Sequence, residues 1–538
     1  MTASGEIQGT TVSPAEIRAM LKDGGEMALI DVREEGVFSE EGHPFFANSM
    51  PLSRLELLIR ARVPRFGTRI VALDGGDEGL AERAAAKLTE IGYRNVAVMK
   101  GGTRAWAASG YELFTGVNVP SKAFGELVEH QCGTPHIAAS ELKKRIEAGD
   151  KVLIVDSRPI GEFRNMSIPG AFDCPGAELV YRVPDRVPSP DTLVVVNCAG
   201  RTRSIIGAQS LRNARLANQV VALENGTMGW ELAGLELARG RDDSLPPPST
   251  EGLAKARMLA EDVAQRFDIR RIGDAELARF RAEADQRTLY LIDVRSPEEY
   301  AAGHLAGARL APGGQLVQAT DTYMATRNAR IVLVDGDGVR AVMTASWLVQ
   351  MGCPEVYVLD GGVAGRKLVT DPETREIPGL EHANAATIAP AALKDLLDRG
   401  EAIVVDVAPS LNYEAGHIPS AWFAVRARLK QSLSKVPVKP VLVLTSSDGV
   451  VAQLAAAELP AHGFAEVKVL NGGTDAWRAA GLPLTKGREA LADTPNDCWR
   501  RPYDPYAAPD ARERYLKWEV ELVHQIEREG DLGFRVHN

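Results

Sequence analysis

Short aliphatic runs alternate along nearly the whole chain with longer stretches whose apolar positions recur at helical spacing. The clearest runs end in an acid: Leu29-Ile-Asp31, Ile154-Val-Asp156, Leu291-Ile-Asp293 and Val404-Val-Asp406. A continuous apolar run of this length, bounded by turn residues, predicts a strand buried on both faces, as in a parallel sheet. Helical patterns such as Ala81 to Leu88 and Ala452 to Leu459 lie between the strands. Strand and helix in alternation predict an α/β fold, with helices covering both faces of each sheet.

The pattern repeats four times. A second apolar strand follows each acidic strand end after about 40 residues and closes on Asp74, Cys198, Asp335 or Thr445. A glycine comes 27 or 28 residues later, at Gly102, Gly226, Gly362 and Gly473. Four positions beyond stand Trp106, Trp230, Arg366 and Trp477. Units of about 100 residues each bury their own core, so they are domains in tandem and not solenoid repeats. The predicted bounds are 8–115, 135–240, 267–372 and 383–487, with a tail over 488–538.

The joints differ in character. Residues 116–134 are too apolar for a free tether and are expected to pack. Asp242 to Ser249 reads as a stiff proline linker feeding a helix over Glu251–Phe267. The tail carries Cys498-Trp-Arg-Arg-Pro-Tyr503 and a helical pattern from Tyr515 to Ile526. Its aromatic rings are costly to leave in water, so it is expected to fold back on the body or onto a second copy, which makes a homodimer one reading.

Composition changes this picture little. The 538 residues are 45% hydrophobic and 25% charged, as in ordinary globular proteins. A net charge of −10 weighs against nucleic acid as a partner. No apolar run reaches the roughly 18 to 20 residues needed to span a bilayer, and no basic-then-apolar leader opens the chain. Five cysteines, Cys132, Cys174, Cys198, Cys353 and Cys498, show neither paired nor zinc-like spacing. A cytoplasmic protein with free thiols, no metal and no cofactor is the expectation.

One loop carries candidate chemistry. The strand Leu193 to Asn197 delivers Cys198 into Ala199-Gly200-Arg201-Thr202-Arg203, and Ser204 is the expected cap of the next helix. A thiol between two guanidiniums at a helix N-terminus should shift toward the thiolate, the nucleophilic form. Ala199 and Gly200 allow tight curvature. Arg201 or Arg203 can hold a sulfonate in a fork.

Taken together, the Asp-Val-Arg strand end, the Gly-His-Leu-Ala-Gly-Ala turn, the strand–Cys–loop–helix and the Gly-Gly-Thr-x-x-Trp block resemble the rhodanese family of sulfurtransferases. The resemblance covers all four units and implies a mostly parallel five-stranded sheet flanked by helices in each. It implies that Cys198 takes a sulfane sulfur from thiosulfate or a related persulfide donor. The sulfur then passes to cyanide, a thiol or a protein acceptor. Ala199 to Ser204, with Arg158, would stabilise the persulfide. Aspartate or threonine cannot carry sulfur, so units one, three and four are expected to be inactive. A scaffold or sulfur-carrier platform is the non-enzymatic alternative. Cysteine phosphatase or arsenate reductase is a third reading, but those relatives place five residues between Cys and Arg where Cys198 and Arg203 are separated by four.

Several residues read as structural by their recurrence. Asp156 has a counterpart in every unit, and Arg158 has counterparts at Arg33 and Arg295 in units that lack a nucleophile. His43, His304 and His417 share one turn in which the cysteine-bearing unit has Ser167. A catalytic base absent from the active unit is not a catalytic base. Trp230 is expected to pack the end of the sheet, and Cys174 or Cys132 to be a resolving thiol only as a secondary possibility.

Overall fold

The computed structural model describes residues 10–373, 375–459 and 466–537. Residues 8 and 9 of predicted unit one, 460–465 of predicted unit four and 538 of the tail lie outside the described residues. The four apolar repeats form four separate sheets. In the first, strands Thr10–Val12, Met27–Asp31, Ala47–Ser49, Arg69–Leu73 and Val96–Met99 lie in the order first, fifth, fourth, second, third. Units two and three repeat that order. Unit four adds a sixth strand, Ala490–Leu491, drawn from the predicted tail. Every registered strand pair is parallel.

In unit two the acidic strand Val152–Asp156 lies beside Leu193–Asn197, with Asp156 opposite Asn197. The recurring aspartate therefore sits next to the root of the loop. Its carboxylate accepts from Asn197 Nδ2 at 2.8 Å and from Arg158 Nε and Nη2 at 2.8 and 2.7 Å. Asp31–Arg33 and Asp293–Arg295 repeat the fork, all of it buried.

Units two and three share one core. Leu179, Val183 and Val194 of unit two pack through Ala256, Ala260 and Val263 of the helix Thr250–Arg266 onto Leu316, Ala341 and Ala345 of unit three. The stretch predicted as a proline spacer is docked rather than free. Leu245 is buried in the same core; its N–H donates to the Asp173 carbonyl at 3.0 Å, and the Asp173 N–H donates to the Asp243 carbonyl at 2.7 Å. Unit one meets unit three where Glu26 accepts from the Thr288 amide and hydroxyl at 2.8 and 2.7 Å. It meets unit four through a fork from Arg426 to Glu56 at 2.9 and 2.8 Å.

The apolar joint is a helix, Val119–Cys132, with Val119, Ala123 and Phe124 fully buried. The tail folds back on the body, as one helix over Ala511–Glu529. Leu522 and Ile526 pack there against Phe45, Phe114 and Val119, and Phe534 closes on Phe124 with ring centroids 5.2 Å apart. Joint helix and tail helix meet beside the Cys198 loop. Among the described residues, no helix is long and apolar enough to cross a membrane.

Candidate active site

Cys198 follows a fully buried strand, and the chain turns within four residues into the helix Thr202–Asn213. Gly226 lies against this turn with φ +56°, and a Cβ there would strike the Cys198 carbonyl, so the recurring glycine is a steric requirement. The amides of Thr227 and Met228 donate to the carbonyls of Cys198 and Ala199 at 2.8 and 3.0 Å. The loop's acceptors are thereby engaged on one side, while the first helical turn contributes N–H groups that have no helical partner.

The silent loops reveal what such a ring holds. Asp74 accepts from the amides of Gly76, Leu80 and Ala81 at 2.7, 2.9 and 3.1 Å. Asp335 accepts from Gly338 and Ala341 at 3.0 and 2.9 Å. Units one and three therefore carry a built-in anion where unit two carries a thiol. In unit four Ser446 Oγ takes the Ala452 amide at 3.2 Å. The same backbone nest is filled internally in three units and free for chemistry in one.

The Cys198 thiol donates to Ser204 Oγ at 3.5 Å, and that hydroxyl donates to the Arg201 carbonyl at 2.7 Å. Ser204 is therefore not the helix cap. The helix begins at Thr202, Arg201 occupies the cap position without a capping bond from its side chain, and Ser204 faces the sulfur. The expected shift toward thiolate is also reversed. Burial pushes the thiol up, and the pull downward from the Arg203 charge and from Ser204 does not offset it.

Both arginines are held by carboxylates. Arg201 is forked onto Glu126 of the joint helix at 2.8 to 3.1 Å and also reaches Glu129. Arg203 is forked onto Glu162 at 2.9 and 2.8 Å and reaches Gln315 of unit three at 3.4 Å. Burial acts to raise the Glu162 carboxyl, but the Arg203 charge wins and holds it at about 2. Both guanidiniums are partnered, and the Arg203 charge still pulls the Cys198 thiol downward.

A cavity of about 170 Å³ opens over Cys198. Its floor is Cys198 to Arg203, with Met228 beside it. Gln315, Gln318 and Ala319 close it from unit three, and Asn118 and Lys122 from the joint helix. The tail supplies the remaining wall with Trp499, Arg501, Pro502, Tyr503, Tyr515 and Glu519. Sequence reasoning missed every one of these outer residues. The only signals were the apolar joint and the aromatic-rich tail, which promised burial without saying against what.

The remaining candidates fall outside the cavity. Arg158 is fully buried on Asp156 and on the Met166 carbonyl (2.6 Å), so it supports the strand end and does not touch the sulfur site. His43, His304 and His417 stack on Phe38, Tyr300 and Tyr413 at 3.6 to 3.8 Å and bond backbone carbonyls through Nδ1. Cys174 is buried in the shared core and its thiol is raised well above its ordinary value by desolvation. Cys132 lines a separate depression with Arg212 and Arg266. Neither reaches the Cys198 cavity. Trp230 is buried and donates to the Glu236 carbonyl at 2.9 Å.

A mostly parallel α/β domain is written four times in this chain, and one copy presents a buried thiol in a glycine-backed loop. The chain belongs to the rhodanese family: the model of the rhodanese-like domain matches residues 13–109, 138–233, 275–367 and 389–480. A solved structure of a thiosulfate sulfurtransferase from Pseudomonas aeruginosa is 47% identical, covers 98% of this chain and 100% of its own, and superposes with a TM-score of 0.94. The thiosulfate sulfurtransferase GlpE of Pseudoalteromonas translucida is 29% identical over 93 residues, which are 17% of this chain and 89% of that protein. An HTH-type transcriptional regulator of Mycobacterium tuberculosis is 37% identical over 111 residues, 20% of this chain and 47% of the regulator.

Proposed function

We propose that this rhodanese-family transferase moves a sulfane sulfur from thiosulfate, or a related persulfide donor, to cyanide or a thiol through a persulfide on Cys198. The Cys198 thiolate attacks the outer sulfur of thiosulfate, forming the new S–S bond as the S–S bond to the sulfonate breaks and sulfite leaves with that electron pair. An acceptor thiolate or cyanide then attacks the outer persulfide sulfur and returns Cys198 as thiolate. One observation carries the reading. The nest that binds a carboxylate in units one and three holds only a neutral thiol in unit two, so a terminal persulfide anion there meets the same class of N–H donors.

The geometry favours an enzyme over a bare scaffold, because unit three, the joint and the tail all contribute walls to one reactive cavity. The silent units thereby acquire a role. Unit three closes the pocket, while unit one anchors units three and four. Five cysteines without a disulfide fit a reducing, cytoplasmic setting. The test is turnover of thiosulfate and cyanide to thiocyanate by wild type and Cys198→Ala. Loss of turnover in the variant is expected, and retention at the wild-type rate overturns the proposal.

A further inference from the structure

Lys122 is the cation of the Cys198 cavity whose state the proposed chemistry leaves unexplained. It comes from the joint helix, outside all four matched domains, and its residue is 2% exposed. Its ammonium sits 4.7 Å from the ring centroid of Trp518 and 5.1 Å from those of Trp499 and Tyr515. Three rings hold the charge in place, but they leave its N–H donors without a hydrogen-bond acceptor among the described residues. A buried ammonium with no hydrogen-bond acceptor is unfavourable relative to an apolar residue of the same size. Glu519, which shares the cavity, accepts from Thr202 and Tyr515 through Oε1, at 3.3 and 3.0 Å, while its buried Oε2 has no hydrogen-bond partner among the described residues. A donor without an acceptor, on a residue that lines the Cys198 cavity, implies an acceptor that arrives with the substrate.

We propose that Lys122 binds the anionic oxygens of the sulfur donor's leaving group, a sulfonate or a carboxylate, and so sets which donors Cys198 accepts. The inference rests on the sulfurtransferase reading above. With thiosulfate, the group held is the sulfonate that departs as sulfite. With an organic persulfide, R–S–SH, Cys198 thiolate takes the outer sulfur and R–S⁻ leaves, so a carboxylate on R occupies the same place. The tail matters because it supplies all three rings of the cage and thereby fixes the direction of the ammonium.

The charge state of Lys122 supports this placement. Burial brings its ammonium down to about 8, against the opposing pull of Glu519 and Asp321, with Arg203 adding to the downward shift. The groups facing it are Glu519 and Tyr515 from the tail helix, Asp321 from unit three and Arg203 from the loop helix. Below pH 8 the ammonium is charged and can hold an anion. Above it that hold is lost.

The experiment is single-turnover sulfur loading of the full chain, read by intact mass, with three donors: thiosulfate, mercaptoacetate persulfide and 2-mercaptoethanol persulfide. The third leaves no anionic oxygen for Lys122. Lys122→Met keeps the volume and removes the charge. For the first two donors it is expected to raise the half-saturating concentration by about 10- to 100-fold, the range for losing a charge-assisted hydrogen bond, with little change in the limiting rate. For the third donor the change is expected to stay below about threefold. An effect on thiosulfate alone, or on mercaptoacetate persulfide alone, identifies which oxyanion is read. Equal effects on all three donors, or none, overturn the inference.

A second measurement does not depend on the folding of that variant. Thiosulfate binding to Cys198→Ser, followed by calorimetry, should weaken as pH rises through about 8. Lys122→Arg in the same background should keep binding to pH 10. Binding that is flat with pH in both proteins counts against Lys122. Wild type that gains no sulfur from any donor overturns the underlying sulfurtransferase reading, whereas loading that ignores Lys122 overturns this inference alone.

Discussion

Burial holds the Cys198 thiol above its ordinary value, so the first half-reaction runs on a small thiolate fraction near neutrality. Its rate is predicted to climb about tenfold per pH unit between pH 6 and 8. Ser204→Ala isolates one contribution. The hydroxyl lies 3.5 Å from the sulfur and is shared with the Arg201 carbonyl at 2.7 Å. A hydrogen bond to a charged group is worth about 1.5–3 kcal/mol, and length and sharing reduce this one to about 1 kcal/mol. The thiolate fraction at pH 7.5 should therefore fall about fivefold. The more basic thiolate is also more nucleophilic, which recovers about half of that and leaves a net two- to threefold loss. The assay is alkylation of Cys198 by iodoacetamide against pH, with Cys198→Ser as the blank for the other four cysteines. A wild-type rate that levels off below pH 7.5, or a Ser204→Ala protein alkylated as fast as wild type, would refute the reasoning.

Three further outcomes follow from the packing. Leu522→Ala, at a fully buried tail position, should cost about 2–5 kcal/mol and loosen the cavity wall, lowering the melting temperature while speeding Cys198 alkylation at fixed pH. Arg158→Leu strands the Asp156 carboxylate and should cost about 3–5 kcal/mol, with the half-saturating donor concentration unchanged in protein that remains folded. Asp406 has Ala408 where the other units have arginine, and burial raises its carboxyl to about 7. A carboxyl raised on folding stabilises at low pH and loses that contribution as pH rises through 7. Wild type should therefore melt lower at pH 8 than at pH 6, by a margin that Asp406→Asn reduces.

The sequence made the sheets legible because each strand announced itself by a buried apolar run, and each loop by a glycine at constant spacing. Gly226 and Asp156 recur for reasons the structure makes explicit: one clears the Cys198 carbonyl and the other ties two central strands. Cys198 stood out for the same reason, as the odd member of a repeated position. Arg201 and Arg203 were legible as charges but not as partnered charges, because Glu126 and Glu162 approach from the joint helix and from the short helix Ile160–Asn165. Lys122, Trp499, Tyr515 and Glu519 could not be placed at all. They reach the loop only through packing between segments hundreds of residues apart, which no local pattern encodes. The thiolate expectation failed there too, since the desolvation that raises the thiol is produced by those same distant walls.

The central claim is that Cys198 alone among four equivalent loops carries sulfur. Intact mass of the full chain after thiosulfate, with excess donor removed, tests it most directly. Wild type is predicted to gain one sulfur, about 32 Da, and Cys198→Ser none. A gain that survives in Cys198→Ser, or a second sulfur on wild type, would contradict the account.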